Sequence, residues 1–317
     1  MTADRSLIAL DWGTSSLRAA LMAPDGTIED RLSSPDGIMF ANGRSFDSIF
    51  EALISPWLAR RPAARVLASG MIGSRQGWVE APYAACPAGF DDLARAMAWT
   101  TTARGVRVGF APGVRAEHAH GTADVMRGEE VQIFGAIASS DISDAVFVLP
   151  GTHSKWARVV GGRIVGFHTF MTGELYGVLR RHSILGRLMP EEGDETRLDA
   201  DAFAQGCAAA RRSGAPLHEL FAVRTHGLFD RLAAEALPSY MSGLLIGEEA
   251  CEALALMGAP SGSARLVGRG DLAKRYALAL GLFGIETASA GEDLAFQGLH
   301  ALAGALARME DQGWEDE

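Results

Sequence analysis

Cysteine is scarce: the 317 residues hold three, Cys86, Cys207 and Cys251. They are odd in number, far apart and in no Cys-x-x-Cys spacing. That excludes a disulfide framework and a zinc cluster, and fits a reducing compartment. No run of about 18 apolar residues occurs, so a membrane-spanning helix is excluded. The opening "MTADRSLIAL" lacks the basic start and long apolar stretch of a secretory leader. A cytoplasmic protein with no membrane partner is expected. Positive charge is short too: 29 Lys and Arg stand against 39 Asp and Glu, a net charge of −10. With no basic footprint, no nucleic-acid partner is expected. GxxxxGK[ST] is absent, which argues against a P-loop kinase.

What is present is a chain that is 48% hydrophobic and long enough for two domains. Apolar runs at Arg5–Leu10 and Leu17–Ala23 read as strands. "PDGT" at Pro24–Thr27 is a turn: Pro sets φ, Asp bonds its own backbone, and Gly tolerates positive φ. Ile28–Ser34 then returns antiparallel. Ser45–Ala59 carries apolar residues at helical spacing, and Arg65–Ala68 reads as a strand. A helix is expected near Phe90–Trp99, a strand at Val106–Phe110 and a helix at Asp124–Ala138. Strands follow at Ala145–Leu149, Lys155–Val160 and Arg163–Phe167, then mostly helix to about residue 260. The end reads as strand Ala264–Val267, helix Asp271–Leu280, strand Ile285–Thr287 and helix Asp293–Met309.

One plan occurs twice. "LDWGTSSLRAALMAPDGTIEDRL" and "LPGTHSKWARVVGGRIVGFHTF" are each strand, Gly-Thr-x-Ser, strand, tight turn, strand. Turns rich in Gly, Thr and Ser present backbone N–H groups and hydroxyls, which cradle phosphate oxygens. Two such turns, one per domain, suit a polyphosphate. Only the first carries an acid, Asp11. Magnesium needs one or two carboxylates besides water and phosphate oxygens, so Asp11 is a candidate metal-side residue.

Four further stretches carry candidate chemistry. Asp124, expected at a helix start ahead of the second hairpin, is either a plain helix cap or a general base for an acceptor hydroxyl. Glu129 and Glu130, one turn on, are either surface charges or ligands of a polyol. "SGMIGSRQGW" is a Gly-rich loop whose cation, Arg75, is suited to a substrate carboxylate; Gly73 and Ser74 lie on the same loop. "VGRGDLAKRYA" places Gly268 and Gly270 at a helix entry. This resembles a dinucleotide fingerprint, but too little chain follows for a full Rossmann domain, and an adenosine or its α-phosphate suits it better. His118 and His120 read as loop histidines.

The order of these motifs resembles the sugar-kinase, actin and hexokinase superfamily. "GMIGSRQGWVEAPY", "DVMRGEE" and "LPGTHSKW" more closely resemble the 2-dehydro-3-deoxygalactonokinase family. The resemblance implies an α/β fold of two ribonuclease-H-like domains with an interdomain cleft. The division is expected at residues 1–123 and 124–317, with the last helix (about 293–309) packing back on the first domain. It implies transfer of the ATP γ-phosphoryl group to the 6-hydroxyl of 2-dehydro-3-deoxy-D-galactonate, with Mg2+. Asp11, Gly13, Thr14 and Ser15 would form the first phosphate loop and Gly151, Thr152 and Ser154 the second. Gly268 and Gly270 would lie on adenosine, and Asp124 would be the base. Competing expectations are a kinase for a related acid or neutral sugar, an oxidoreductase using Gly268 and Gly270, and a non-enzymatic regulator or filament.

Overall fold

The unbroken apolar run at the start becomes β1 (Leu7–Trp12), buried along its length except at Asp11. A strand buried on both faces belongs in mid-sheet. There β1 pairs antiparallel with β2 (Leu17–Met22), and β2 with β3 (Ile28–Ser34). The turn before β3 forms as its residues require: the Thr27 N–H donates to Asp25 Oδ1 at 2.9 Å and Gly26 has φ +87°. The computed structural model describes residues 6–119, 121–140, 142–191, 198–268 and 270–314. His120 lies outside them.

Helix α1 (Phe46–Arg60) is capped by Ser45, whose hydroxyl accepts from the Ser48 N–H, and buries Ile49, Phe50, Ile54 and Trp57. Strand β4 (Arg65–Ser69) then joins β1 in parallel. Short β5 (Tyr83–Ala85) and α2 (Phe90–Arg95) follow. Next come β6 (Ala98–Thr101), β7 (Arg107–Phe110), β8 (Gly113–Glu117), β9 (Ala123–Met126) and α3 (Glu129–Ala138). The main sheet has the order β3-β2-β1-β4-β7-β6; β5, β8 and β9 form a second.

The helix expected at Asp124–Ala138 is corrected here. Residues 123–126 are strand β9, paired with β8 across a tight turn in which the His118 N–H bonds Thr122 O at 2.9 Å. Gly128 has φ +105°, which no helix accommodates, so the helix starts only at Glu129. The helix expected to reach Trp99 stops at Arg95, and Trp99 lies in β6.

The second copy of the plan opens with β10 (Ala145–Leu149), β11 (Ser154–Val160) and β12 (Arg163–Phe170). Helices α4 (Thr172–His182), α5 (Ala200–Ser213), α6 (Pro216–Leu228) and α7 (Leu237–Met257) follow. The unit closes with β13 (Ala264–Leu266), α8 (Gly270–Leu282) and β14 (Thr287–Ser289). Its sheet order, β12-β11-β10-β13-β14, repeats β3-β2-β1-β4-β7, with parallel pairing of β10 to β13 and of β13 to β14. The last helix, α9 (Leu294–Asp311), packs on α3 and β1.

Packing divides the chain into two units. One is Met1–Asp144, Val159–Gly166 and Gly291–Glu317; the other is Ala145–Arg158 and Phe167–Ala290. The division expected after residue 123 therefore falls after Asp144, because β9 and α3 are built into the first unit. That unit's core gathers Ile8, Leu10, Phe50, Trp57 and Phe110. The second unit's gathers Val148, Trp156, Phe203, Ile246 and Tyr276. All three cysteines are free. Burial pushes the Cys86 thiol up to about 11 and that of Cys207 to about 12, so both stay protonated and unreactive near neutral pH. Among the described residues no helix is long and apolar enough to cross a membrane.

Candidate active site

The first Gly-Thr turn joins β1 to β2. The Gly13 N–H closes it on Ser16 O at 2.9 Å, leaving Thr14 and Ser15 exposed. It is braced from outside: Ile38 N–H donates to Gly13 O and Met39 N–H to Thr14 O, each at 3.1 Å. Asp11, at the end of β1, is ion-paired with Arg18 across the hairpin and is only 14% exposed.

Two further stretches meet this strand end. Gly70 follows β4 directly with φ +91°; a Cβ there would lie 2.9 Å from Trp12 O and 3.6 Å from Asp11 Oδ1. A Cβ on Gly128 would in turn lie 3.1 Å from Gly70 Cα. The start of α3 therefore sits against the end of β4, beside Asp11. The acid carried there is Glu129, whose Oε2 accepts the Arg127 N–H at 3.0 Å. Asp124 lies five residues earlier in β9, with its carboxylate 2.9 Å from His118 Nε2. It neither caps a helix nor starts one.

The loop carrying Gly73, Ser74 and Arg75 is closely bonded. Ser74 N–H donates to Met71 O at 3.0 Å, Trp78 N–H to Ile72 O at 2.8 Å and Ala81 N–H to Gly73 O at 2.9 Å. Trp78 anchors it edge-on to Trp12 and Phe110. Arg75 projects from this frame with its side chain 86% exposed, 3.7 Å from Glu80. Gly73 and Ser74 are buried. Arg127, missed in the sequence, braces the loop from beneath: it donates to Ala81 O at 2.7 Å and stacks 4.3 Å over the Tyr83 ring. Its Nε and Nη1, and Ser74 Oγ, have no hydrogen-bond partner among the described residues.

Glu130, beside Glu129, is fully buried and accepts the Gly128 N–H at 2.7 Å. Burial, aided by the charge of Glu129, raises its pKa from 4.5 to about 8. Between these values the folded chain holds a proton that the unfolded chain has released. Stability therefore falls as pH rises through this window and levels off above it. Glu130→Gln keeps the acceptor and removes the slope. Its melting temperature should match the parent's near pH 5 and exceed it by several degrees near pH 8.5, read by calorimetry.

In the second unit, the turn between β10 and β11 leaves Thr152 and His153 exposed. Its Thr152 O accepts the Glu174 N–H from α4 at 2.9 Å, and His153 Nε2 bonds the Glu174 carboxylate. Ser154, expected on the phosphates, is fully buried, and its hydroxyl is committed to Glu249 as a donor at 2.7 Å. Gly268 lies 3.9 Å, measured from a built Cβ, from Pro150 of this turn. The Gly-x-Gly entry of α8 and the Gly-Thr turn are thus neighbours. Between α4, α7 and α8 opens a pocket of about 230 Å³, lined by Gly151, Gly173, Tyr176, Asp271, Leu272 and Arg275 among others. Gly268 and Gly270 do not line it; the residues just after them do. An acid inside the apolar stripe of α7 was the one sequence sign of Glu249.

Comparison with known proteins follows the same lines. The family model for 2-keto-3-deoxy-galactonokinase matches residues 11–302. The 2-dehydro-3-deoxygalactonokinase of Escherichia coli (strain K12) is 35% identical, over 95% of this chain and 98% of that protein. A crystal structure from Sinorhizobium meliloti, provisionally described as that enzyme, is 34% identical with a TM-score of 0.83. The match covers 95% of this chain and 99% of that one. The activator of 2-hydroxyisocaproyl-CoA dehydratase from Clostridium difficile, 11% identical with a TM-score of 0.52, shares the fold alone.

Proposed function

The chain belongs to the 2-keto-3-deoxy-galactonokinase family, and from that footing we propose that it transfers the γ-phosphoryl group of ATP to the 6-hydroxyl of 2-dehydro-3-deoxy-D-galactonate. The fold is the actin/hexokinase-like one of sugar kinases. The observation that carries the reading is the second Gly-Thr turn, which borders a pocket walled by the Gly-x-Gly helix. A nucleotide seated there would meet the Gly151 and Thr152 backbone at its phosphates. In its own unit the first turn leaves Thr14 and Ser15 exposed, with Gly13 closing it on Ser16.

Magnesium fits the residues present. Asp11 is a single, mostly buried carboxylate beside the exposed hydroxyls of Thr14 and Ser15, a hard-oxygen set of the kind Mg2+ takes. Asp11 would hold it, directly or through water. The ion would neutralise charge on the phosphates.

The base was sought as an acid at a helix start. In the folded chain that acid is Glu129, next to the strand end that carries Asp11, and we assign it the role earlier given to Asp124. Glu129 takes the proton of the acceptor hydroxyl as its oxygen attacks the γ-phosphorus and the bond to ADP breaks. Asp124 and His118 form a pair that shapes the β8–β9 turn. Arg75, exposed on a rigid loop, is the proposed partner of the substrate carboxylate, with Gly73 and Ser74 shaping the loop and Arg127 holding it.

The test is ADP release with MgATP against 2-dehydro-3-deoxy-galactonate, its gluconate epimer, galactonate and neutral hexoses. Turnover confined to keto-deoxy acids supports the proposal. Turnover of a neutral hexose overturns the acceptor, and no turnover with any acceptor overturns the activity. In the same assay Arg75→Ala should raise the KM of the acid by roughly tens-fold, the worth of a charge-assisted hydrogen bond, and leave the KM of ATP unchanged. Equal effects on both would make Arg75 structural.

A further inference from the structure

The most buried carboxylate described in the second unit does not line the pocket above, yet it is bonded to that pocket's walls. Glu249 lies on α7, 3% exposed, on the stripe that includes Leu245, Ile246 and Ala253. Four side chains donate to it. Oε1 accepts Ser154 Oγ at 2.7 Å and Trp156 Nε1 at 2.8 Å. Oε2 accepts Tyr276 OH at 2.6 Å and the Thr172 hydroxyl. The donors come from three segments: β11, which leaves the second Gly-Thr turn; the first residue of α4; and α8. Thr172 and Tyr276 line the pocket, and Ser154 follows its phosphate-facing turn by one residue.

A buried acid is not there for stability alone. Removing a carboxylate from water is costly, and an apolar residue of similar size is often as stable. What the carboxylate provides is direction. A Trp N–H can only donate, so Oε1 must accept. Burial pushes the Glu249 carboxyl up while its four donors pull it down. Burial and the adjacent Glu249 hold Tyr276 far above its ordinary range, so it remains an O–H donor. The hub thus fixes the rotamers of two pocket-lining side chains and the exit strand of the phosphate turn at once.

We propose that Glu249 is the positioning residue of the nucleotide pocket, holding the Gly-Thr turn, the start of α4 and helix α8 in the one arrangement that accepts ATP. This rests on the reading of that pocket as the nucleotide site. Glu249 acts through Ser154, Trp156, Thr172 and Tyr276 and does not meet the nucleotide itself.

The experiment compares Glu249→Ala, Glu249→Gln and Tyr276→Phe in steady-state kinetics, melting temperature and titration with a fluorescent N-methylanthraniloyl ADP. Glu249→Ala should raise the KM of ATP and the Kd of the probe by roughly tenfold, with the acceptor KM within about twofold of the parent's. Gln should restore most of the affinity. Its carbonyl oxygen can still accept from Ser154 and Trp156, and its amide can donate to the two hydroxyls, which then reverse. Tyr276→Phe should weaken nucleotide binding by about threefold. If Glu249→Ala lowers the melting temperature but leaves nucleotide affinity unchanged, the hub is structural and the proposal falls. If that variant does not fold, an unchanged affinity in Tyr276→Phe overturns it equally. Leu272→Trp, which fills the pocket, separates the two readings. Unchanged ATP affinity in that variant would refute the nucleotide site itself; weakened affinity there alongside normal Glu249 variants would refute only the hub.

Discussion

Glu129→Gln should lower kcat by about a thousandfold, within the range of a lost general base, and leave the KM of ATP nearly unchanged. Asp124→Asn should lower kcat by less than about tenfold. The contrast follows from backbone geometry. Gly128 turns the chain with φ +105° and seats it against Gly70, which itself lies against Trp12 and Asp11. The first side chain of α3 after that turn is Glu129. Its carboxylate is held by the Arg127 N–H, so it is aimed rather than free to wander. The amide of Gln keeps the size and the backbone bond but cannot take a proton. Single-turnover kinetics separate this loss from slower product release. A collapse of kcat in Asp124→Asn with near-normal Glu129→Gln would return the role to Asp124, with His118 as its partner.

Gly173→Ala should lower kcat/KM by about a hundredfold, the scale of a displacement of about 1 Å in a group that must be placed closely. A Cβ on Gly173 would stand 2.3 Å from Gly151 O and 2.9 Å from Thr152 Cα. Both atoms are backbone of the phosphate turn, which no rotamer change can move aside. The turn must shift outward, and with it the N–H groups that would meet phosphate. The first unit has a counterpart: a Cβ on Gly37 would stand 2.3 Å from Thr14 O. Each Gly-Thr turn thus rests on a glycine from elsewhere in its own unit. Gly173→Ala should melt within a few degrees of the parent while losing nucleotide affinity, measured by isothermal titration. An unchanged affinity would show that the turn tolerates displacement.

Much of this was legible in the residues. An apolar run ending in an acid, then Gly-Thr-x-Ser and a second run, can pair only as a hairpin around a polar turn. Its recurrence at residue 149 announced the second sheet of the same order. Ser45, the Pro-Asp-Gly-Thr turn and the stripe of α1 are local signals, set by caps, φ preferences and the 3.6-residue period, and the fold obeys them. The start of α3 was misread because Val125 and Met126 continue the apolar spacing of the helix. Only the positive φ of Gly128 and the pairing of β9 with β8 break it, and the pairing involves a strand ten residues away.

Local sequence by itself therefore determined the duplicated strand plan, the two Gly-Thr turns and the family, because these rest on spacing along the chain. Tertiary structure alone decided which carboxylate does what. Asp124, Glu129, Glu130 and Glu249 are chemically alike in sequence. They end as a histidine's partner, an aimed acid at a helix start, a buried proton holder and a four-donor hub. A carboxylate's role depends on its distance from donors and water, and those distances are set by segments tens of residues apart.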